Sequence, residues 1–435
     1  MEFFLSILPI IIALALLIFL TFKRFSVVFL CILCSVVVAV LSGMPVMDAI
    51  FNDFMSGAAG YIQSYYIMFF IGVILSLLMI EVDAHIAIAR GISRLFHGNW
   101  CLVGIALAAF VMDMGGIWPM VIAFILYPIS AVLCKENDIP LYMIPAAIAG
   151  GSFSAANAIP GAPLFSNDMC SEIFGTKPTA GALIGCVWLV LYIVLFVGYL
   201  VFTAKRDRRK GLHFEMAQVK AGTSLELSDG KEVRGIDTIK AITPTIVIFI
   251  LYSAVGLDIN LSLLIGLLTL IVLYFPKLRK KIIPNIGKAA GDAAAAIIVT
   301  GSVVGFGSVI KMTEGFQNLI GAVQNMSMHP YVSYVLSIAL LCGACGSGSG
   351  GFVISMETLA PRYAAMPGLD MGNLHRLSCV ATTTLDSLPH NSAVTNIING
   401  CGLTHRNAYW PIFVSTVIIT SICTAVATLL AVLMG

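Results

Sequence analysis

Charged side chains are scarce in this sequence. Asp, Glu, Lys and Arg make up 11% of its 435 residues, whereas an average soluble domain carries about a quarter. Apolar and aromatic residues make up 59%, which is not the composition of a soluble enzyme. The net charge of +2 gives no electrostatic basis for binding nucleic acid or acidic partners. Stretches such as 26–47 and 407–435 hold no charge at all, which predicts membrane spans.

The sequence also shows no sign of a cleavable leader or a zinc-binding motif. The first apolar run follows Met1-Glu2 without a basic segment or a small-residue cleavage site, so we expect this span to be retained. Most of the 11 cysteines lie in apolar stretches, where we expect them reduced and buried. The pairs Cys31/Cys34 and Cys342/Cys345 have no further cysteine or histidine pair at zinc-ligand spacing. No metal and no cofactor is therefore predicted, apart from a coupling ion.

The apolar segments fall into two sets separated by a polar stretch. The first set covers 3–22, 25–42, 61–80, 101–133, 141–175 and 178–203, and the second covers 241–256, 260–275, 292–310, 331–360, 377–402 and 408–434. Residues 204–240 hold nine Lys or Arg, which places them in the cytoplasm. We expect an all-α polytopic membrane protein with a first transmembrane repeat at 1–203, a cytoplasmic linker at 204–240 and a second repeat at 241–435.

The two halves match weakly at an offset of about 230 residues. Gly91 aligns with Gly321, and the segment 157–160 aligns with 386–389. Residues 57–60 also align with 288–291, and the three matched segments keep one register, which predicts an internal repeat.

Charge then predicts the relative orientation of the repeats. The loop 43–60 contains acids and no Lys or Arg, whereas its equivalent, 275–291, contains five basic residues. The two loops are therefore predicted on opposite sides of the membrane, with the N-terminus outside, although Arg362 and Arg376 then lie outside against the rule. Inverted repeats are typical of secondary transporters, and a channel is a less favoured alternative.

Four segments at membrane depth are predicted to break their helices. They are rich in glycine, proline and small polar residues and cover 112–119, 150–163, 343–351 and 382–392. Such breaks are tolerated only inside the protein or beside a water-filled cavity. The alternative is that small residues merely allow close helix packing, which fits the glycines at 115–116 better than the two proline-containing breaks.

The chemistry of the breaks predicts how a substrate could be held. No Lys or Arg lies in any of them, so an anion would be bound by helix N-termini and by hydroxyl or amide groups. The predicted substrate contacts are Ser152, Asn157, Gly161, Ser347, Ser349, Thr384, Ser387 and Asn391.

Ionisable residues inside the spans are few and are candidates for ion coupling. Asp386 and His390 lie four residues apart beside Pro389, and Asp113 is the single acid in its apolar run. Each could carry a proton during transport. The alternatives are caps: His390 at a helix terminus, and Asp113 as the N-cap of a half-helix beginning near Gly115.

One segment carries a family likeness. Asn157-Ala-Ile-Pro-Gly-Ala-Pro-Leu-Phe-Ser-Asn-Asp, followed by Phe174-Gly-Thr176, resembles the motif of the gluconate permease (GntP) family, in which a Pro-Gly-x-Pro break precedes Phe-Gly-Thr. The length, the inverted halves and the Gly/Ser-rich break before Met356-Glu357 also resemble that family and the wider ion transporter superfamily. The resemblance implies an organic-anion symporter, usually proton-driven and often dimeric, whose transport unit moves against a scaffold as an elevator. Asn157-Ala-Ile replaces a more hydroxyl-rich approach to the proline, which leaves the carboxylate open.

The sequence thus predicts a multi-pass symporter of the cell inner (plasma) membrane. The expected substrate is a small organic anion such as gluconate or another hydroxycarboxylate, and the coupling ion is H⁺ or Na⁺. Membrane lipids and, by the resemblance, a second copy in a homodimer are the expected partners, and nucleic acid is not. A cation/proton antiporter of the same architecture is the alternative. A membrane-embedded enzyme would need His, Asp or Glu at metal-ligand or nucleophile–base spacing inside the spans, which the sequence does not show.

Overall fold

The computed structural model describes residues 2–23, 25–93, 95–114, 119–220, 235–324, 328–346 and 348–434. Every regular element within these ranges is helical. The first half contains α1 (Glu2–Phe22), α2 (Val27–Leu41), α3 (Val46–Asp48), α4 (Met55–Glu81), α5 (Ala84–Ser93), α6 (Cys101–Met114), α7 (Pro119–Asn137), α8 (Ile144–Ala149), α9 (Phe165–Phe174) and α10 (Ala182–Arg209). The second half contains α11 (Gly235–Phe249), α12 (Ile259–Leu273), α13 (Phe275–Leu278), α14 (Ile282–Lys311), α15 (Glu314–Gln324), α16 (Pro330–Cys345), α17 (Gly348–Thr358), α18 (Ala360–Ala364), α19 (Met371–Leu385), α20 (Ser392–Gly400), α21 (His405–Phe413) and α22 (Ile419–Met434).

Irregular turns interrupt several of these helices. Segments of π-helix cover Ala49–Phe54, Gly150–Ser154, Ile250–Val255 and Val414–Ile418, and short 3-10 turns cover Gly98–Trp100, Leu141–Met143, Ala156–Ala158 and Met216–Gln218. A π-turn widens the helix locally and redirects the side chains that follow it.

The helices are those of a membrane protein. Among the described residues, five helical stretches are long and apolar enough to cross a membrane: Val46–Glu81, Ala182–Arg209, Ile236–Val255, Ile282–Lys311 and His405–Met434. Large apolar side chains lie exposed along them, for example Val190, Val194 and Phe202 on α10. Exposed apolar faces of this extent are stable where lipid tails surround them.

The long apolar segments are divided at the predicted breaks. Residues 101–133 form α6 and α7, residues 331–360 form α16, α17 and α18, and residues 377–402 form α19 and α20. The break predicted at 150–163 consists of a π-turn, a 3-10 turn and an irregular stretch between α8 and α9. The breaks predicted at 150–163, 343–351 and 382–392 are therefore confirmed, whereas the break predicted at 112–119 centres on residues 115–118, which lie outside the described residues.

The two helices on either side of the predicted linker extend into the segment 204–240. Helix α10 continues past Ala204 to Arg209, because Asp207 is buried in this turn and its carboxylate accepts a hydrogen bond from Tyr142 Oη at 2.5 Å. Helix α11 begins at Gly235, ahead of the predicted boundary at residue 241. Residues 221–234 lie outside the described residues.

Helices α4 and α14 pack against one another through glycines. A Cβ at Gly305 would lie 2.6 Å from Phe54 O, and one at Gly301 would lie 3.2 Å from Ala58 O. Such small residues let helix backbones approach closely in a membrane. Close packing, the alternative considered for the breaks, is thus found at this helix pair.

Candidate functional site

The first-half break is built around two prolines. Pro160 and Pro163 cannot continue a helix because they lack an N–H donor, and the chain runs irregularly from Ile159 to the start of α9. Gly161 has a φ of +79°, a conformation that favours glycine. Its amide donates to Pro178 O at 2.9 Å, which ties the break to the turn before α10.

Two predicted substrate contacts of this break are held by local hydrogen bonds. Ser152 is buried, and its Oγ donates to Ile148 O at 2.8 Å. Asn157 is half-buried; its Nδ2 donates to Phe153 O at 3.2 Å, and its Oδ1 accepts from Ser166 Oγ at 2.8 Å. A substrate at either residue would replace or share these bonds.

The residue that fixes the first break is Arg376 of α19, whose side chain is fully buried. Its Nη1 donates to Ile159 O at 3.2 Å and to Asn167 Oδ1 at 3.0 Å. Its Nη2 donates to Pro178 O at 2.8 Å and to Ala180 O at 3.0 Å, and its Nε also reaches Ala180 O at 3.2 Å. All five guanidinium N–H groups are used, so Arg376 holds the backbone and keeps no donor for an anion.

This placement removes a difficulty in the predicted orientation. Arg376 is a buried side chain of a helix and not a loop cation, so it does not count against the positive-inside rule. Arg362 remains exposed and donates to Gln317 Oε1 at 3.3 Å.

The Phe174-Gly-Thr176 motif is explained by the same helix. Gly175 ends α9 with a φ of +62°, and Thr176 Oγ1 lies 2.7 Å from His375 Nδ1. His375 Nε2 lies 3.1 Å from Asn167 Oδ1. The motif therefore serves to join α9 to α19.

The two second-half breaks lie against one another. Helix α16 ends at Gly346, whose φ is +57°, and α17 begins at Gly348. His390 Nε2 lies 3.0 Å from Gly343 O, and a Cβ at Gly346 would overlap the His390 ring. The break between α19 and α20 is thus packed directly on the break between α16 and α17.

Asp386 lies at this junction. It is buried, and its Oδ1 accepts from Ser387 Oγ at 2.8 Å. A Cβ at Gly348 would lie 2.7 Å from Asp386 Oδ2, so only glycine leaves room for the carboxylate against the first residue of α17. The N-terminus of a helix carries a partial positive charge that stabilises a negative group.

Asn391 is the N-cap of α20. Its Oδ1 accepts from Ala393 N at 2.6 Å and from Val394 N at 3.1 Å, while its Nδ2 donates to Asp386 O at 2.7 Å. The N-cap of α20 is therefore Asn391, whereas His390 contacts Gly343 O in the last turn of α16, a contact that fits the helix-terminal cap considered for it. Because its polar atoms are engaged, Asn391 could contact a substrate only by giving up part of the cap.

The other predicted contacts of the second half lie near the junction. Ser387 is buried beside Asp386, and Thr384 Oγ1 donates back to Ala381 O at 2.7 Å. Ser349 lies half-buried in the first turn of α17, and Ser347 lies outside the described residues.

Asp113 occupies the last turn of α6, so it is not the N-cap of a following half-helix. Within the part of the chain that the structure describes, its carboxyl has no hydrogen-bond partner. The Gly150–Ser154 π-turn packs on the same helix, because Gly151 lies against Ala106 O.

These features define a class of protein: a membrane transporter with broken helices, in which irregular backbone at membrane depth surrounds buried polar groups. The sequence profile described as GntP family permease matches residues 5–254. The match covers more than half of the chain, and the chain belongs to the GntP permease family. The predicted family is confirmed, and the protein is a membrane transporter and not an enzyme.

Two relatives cover most of the chain. It is 27% identical to the uncharacterized transporter YxjC of Bacillus subtilis (strain 168), over 96% of this chain and 97% of that protein. It is 22% identical to an uncharacterized permease of Haemophilus influenzae (strain ATCC 51907 / DSM 11121 / KW20 / Rd), over 84% of this chain and 80% of that one.

Two solved transporters share the fold. The YdaH transporter of Alcanivorax borkumensis has a TM-score of 0.54 at 11% identity and covers 88% of each chain. MtrF of Neisseria gonorrhoeae, from a class of antimetabolite efflux pumps, has a TM-score of 0.53 at 11% identity, over 84% of this chain and 83% of that one. At this level of identity the similarity concerns the fold alone.

Proposed function

We propose that this transporter is a symporter that moves a small organic anion, such as gluconate or another hydroxycarboxylate, together with protons. The observation that carries the proposal is the position of Asp386, a buried carboxyl at the junction of two helix breaks. An ionisable group inside a membrane protein is costly, so one that is retained there is a candidate for a role in transport. Protonation of Asp386 would neutralise the junction and release its repulsion of an incoming carboxylate.

Anion binding would rely on helix ends and small polar groups. No Lys or Arg lies in the four breaks. Arg376 contacts the first break, but all five of its N–H groups donate to backbone and amide oxygens. The N-terminus of α17 and the hydroxyls around it offer the remaining positive potential. The substrate contacts proposed for this site are Ser152, Asn157, Gly161, Ser347, Ser349, Thr384, Ser387 and Asn391.

Alternating access would follow from two inverted repeats working as an elevator. Residues 55–81 of α4 and 285–311 of α14 correspond at the offset of about 230, and the two helices pack closely through Gly57, Gly301 and Gly305. A rigid pair of this kind suits a scaffold. A second unit would consist of the broken helices α16, α17, α19 and α20. Unlike the α4–α14 pair, it suits a moving transport domain.

A cation/proton antiporter is the second candidate, and Asp113 is the observation that favours it. Its carboxyl lies in the last turn of α6 without a hydrogen-bond partner among the described residues. Together with Asp386 it would supply two acids for a cation that exchanges with protons. His390, the third coupling candidate, holds Gly343 O and would sense movement of α16.

Purified protein in liposomes separates the two candidates. Labelled gluconate, glycerate, hydroxybutyrate and citrate are offered with an inward proton gradient, an inward sodium gradient or neither. Accumulation of one acid under the proton gradient supports the symporter. Cation-driven proton movement without any carboxylate flux refutes it in favour of the antiporter. We place the protein in the inner (plasma) membrane as a homodimer, which crosslinking in native membranes tests.

A further inference from the structure

A group of metal-binding side chains lies between α9 and α19, outside the four breaks. Cys170 comes from α9, and His375 and Cys379 come from α19. All three are buried, and their ligand atoms lie within 4.8 Å of one another. His375 and Cys379 are four residues apart, so they share one face of α19. Cys170 and Cys379 are 209 residues apart in the chain, so no short spacing motif in the sequence indicates this group.

The sulfur separation fits a shared metal ion. Cys170 Sγ and Cys379 Sγ are 3.9 Å apart. A Zn–S bond of about 2.3 Å places two sulfurs about 3.8 Å apart across a tetrahedron, whereas a disulfide requires about 2.05 Å. Asn167 Oδ1 lies 3.7 Å from Cys379 Sγ and 3.1 Å from His375 Nε2, where it can act as the fourth ligand.

The histidine is oriented as a metal ligand requires. A metal-bound histidine donates its second N–H to a nearby oxygen, which fixes the tautomer. His375 Nδ1 lies 2.7 Å from Thr176 Oγ1, so Nδ1–H can donate to the hydroxyl and leave a lone pair on Nε2. That lone pair then faces Asn167 Oδ1 at 3.1 Å, an arrangement that a shared cation stabilises. In the other tautomer Nε2 carries the proton and donates it to Asn167 Oδ1, with no metal needed. The experiment must distinguish this hydrogen bond from a metal site.

We propose that Cys170, His375, Cys379 and Asn167 bind one zinc-class divalent cation that fastens α9 to α19. Two thiolates and an imidazole form the ligand set that zinc and similar soft ions prefer. Arg376 Nη1 also donates to Asn167 Oδ1, at 3.0 Å, and an adjacent cation stabilises thiolates, the form of cysteine that binds metal. The ion would fasten the first half of the chain to the second beside the Pro160–Pro163 break, and none of its four ligands is among the proposed substrate contacts.

The test is metal binding by the full-length protein in detergent. Metal content after purification in chelator-treated buffer is measured by mass spectrometry, and Co²⁺ is then titrated into metal-stripped protein. We expect one ion per chain and a sulfur-to-cobalt charge-transfer band. Zinc should also protect Cys170 and Cys379 from a maleimide in wild-type protein, a measurement that needs no variant.

Matched variants assign the ligands. The double variant Cys170→Ser/Cys379→Ser should lose the ion and the band, whereas Cys423→Ser, at a buried cysteine of α22, should keep both. Thr176→Val should weaken binding about 10- to 100-fold, as expected for the loss of a hydrogen bond that orients a ligand. The proposal is overturned if folded wild-type protein binds well under one ion per chain, if zinc gives no protection, or if Cys170 and Cys379 form a disulfide in protein purified without oxidant.

Discussion

Replacement of Arg376 by leucine tests whether this one side chain holds the first-half break in shape. The change removes five hydrogen bonds to Ile159 O, Asn167 Oδ1, Pro178 O and Ala180 O. Three of these four acceptors are backbone carbonyls of irregular segments. No helical N–H group is therefore in place to donate to them when the guanidinium is removed. The break between Ile159 and Pro163 should therefore lose its defined conformation.

The size of the effect follows from the burial of the group. Arg376 is 0% exposed, and a buried acceptor left without its hydrogen bond costs about 1–3 kcal/mol, so the loss of bonds to four acceptors should cost about 3–5 kcal/mol in total. That cost corresponds to a change of roughly two to four powers of ten in the equilibrium between the ordered and the disordered break. Arg376→Lys should lie between wild type and Arg376→Leu, because lysine keeps the charge but offers three donors without the planar fork.

The assay is thermal unfolding of detergent-solubilised protein, together with protease cleavage between α8 and α10. Arg376→Leu should melt at a clearly lower temperature and expose this segment to cleavage. Arg362→Leu is the matched control, since Arg362 is exposed and donates a hydrogen bond to Gln317 Oε1. A melting temperature for Arg376→Leu equal to that of Arg362→Leu would refute the role given to Arg376.

Three further predictions concern the coupling site, the scaffold and the linker. Asp386→Asn keeps side-chain size but removes the titratable group, so proton-driven uptake should fall to background without a change in melting temperature. Gly305→Leu should destabilise the protein by about 1–3 kcal/mol, seen as a lower melting temperature, because Phe54 O lies 2.6 Å from the new Cβ. The hydrogen bond from His213, followed by that from Phe214 N, lowers the pKa of Asp138. Asp138→Asn should therefore speed hydrogen exchange at 210–214 above the unfolded pKa of about 3.9, and the difference from wild type should vanish as the pH falls through the lower folded pKa, because the stabilisation is lost there.

The first two of these predictions have a control variant that isolates the cause. Glu136→Gln removes an exposed acid at the end of α7 and should leave uptake unchanged. Gly60→Ala adds a Cβ with nothing within 4 Å and should stabilise slightly through helix propensity. Full uptake by Asp386→Asn, unchanged melting of Gly305→Leu, or equal exchange in Asp138→Asn at every pH would contradict the corresponding explanation.

The breaks could be predicted from sequence because their cause is local. Proline lacks an amide donor and glycine tolerates a positive φ. The segments around Pro160, Gly161 and Gly346 can therefore be recognised as breaks from the sequence, without knowledge of the fold. Asp386 and His390 can be selected as candidates for a similar reason, since an acid and a histidine beside proline stand out in an apolar chain.

The contacts that hold the breaks could not be predicted, because they join residues far apart in the chain. Arg376 and Ile159 are 217 residues apart, and His375 and Thr176 are 199 apart. Charge counting places Arg376 on the outer side of the membrane, whereas the structure buries it as a hydrogen-bond donor in the second turn of α19. Asn391 shows a different limit of prediction from sequence. Asparagine suits a substrate contact and a helix cap equally, and in the structure Asn391 forms the N-cap of α20.

The most direct test of the account is the pH inside liposomes that hold the protein and an entrapped dye. At equal pH on both sides, adding the transported carboxylate outside should acidify the lumen, because each anion enters with protons. Protein-free liposomes correct for diffusion of the undissociated acid, and Asp386→Asn should match them. Acidification equal in wild type and protein-free liposomes for every carboxylate, or a lumen pH that responds only to a cation, would contradict proton-coupled anion symport.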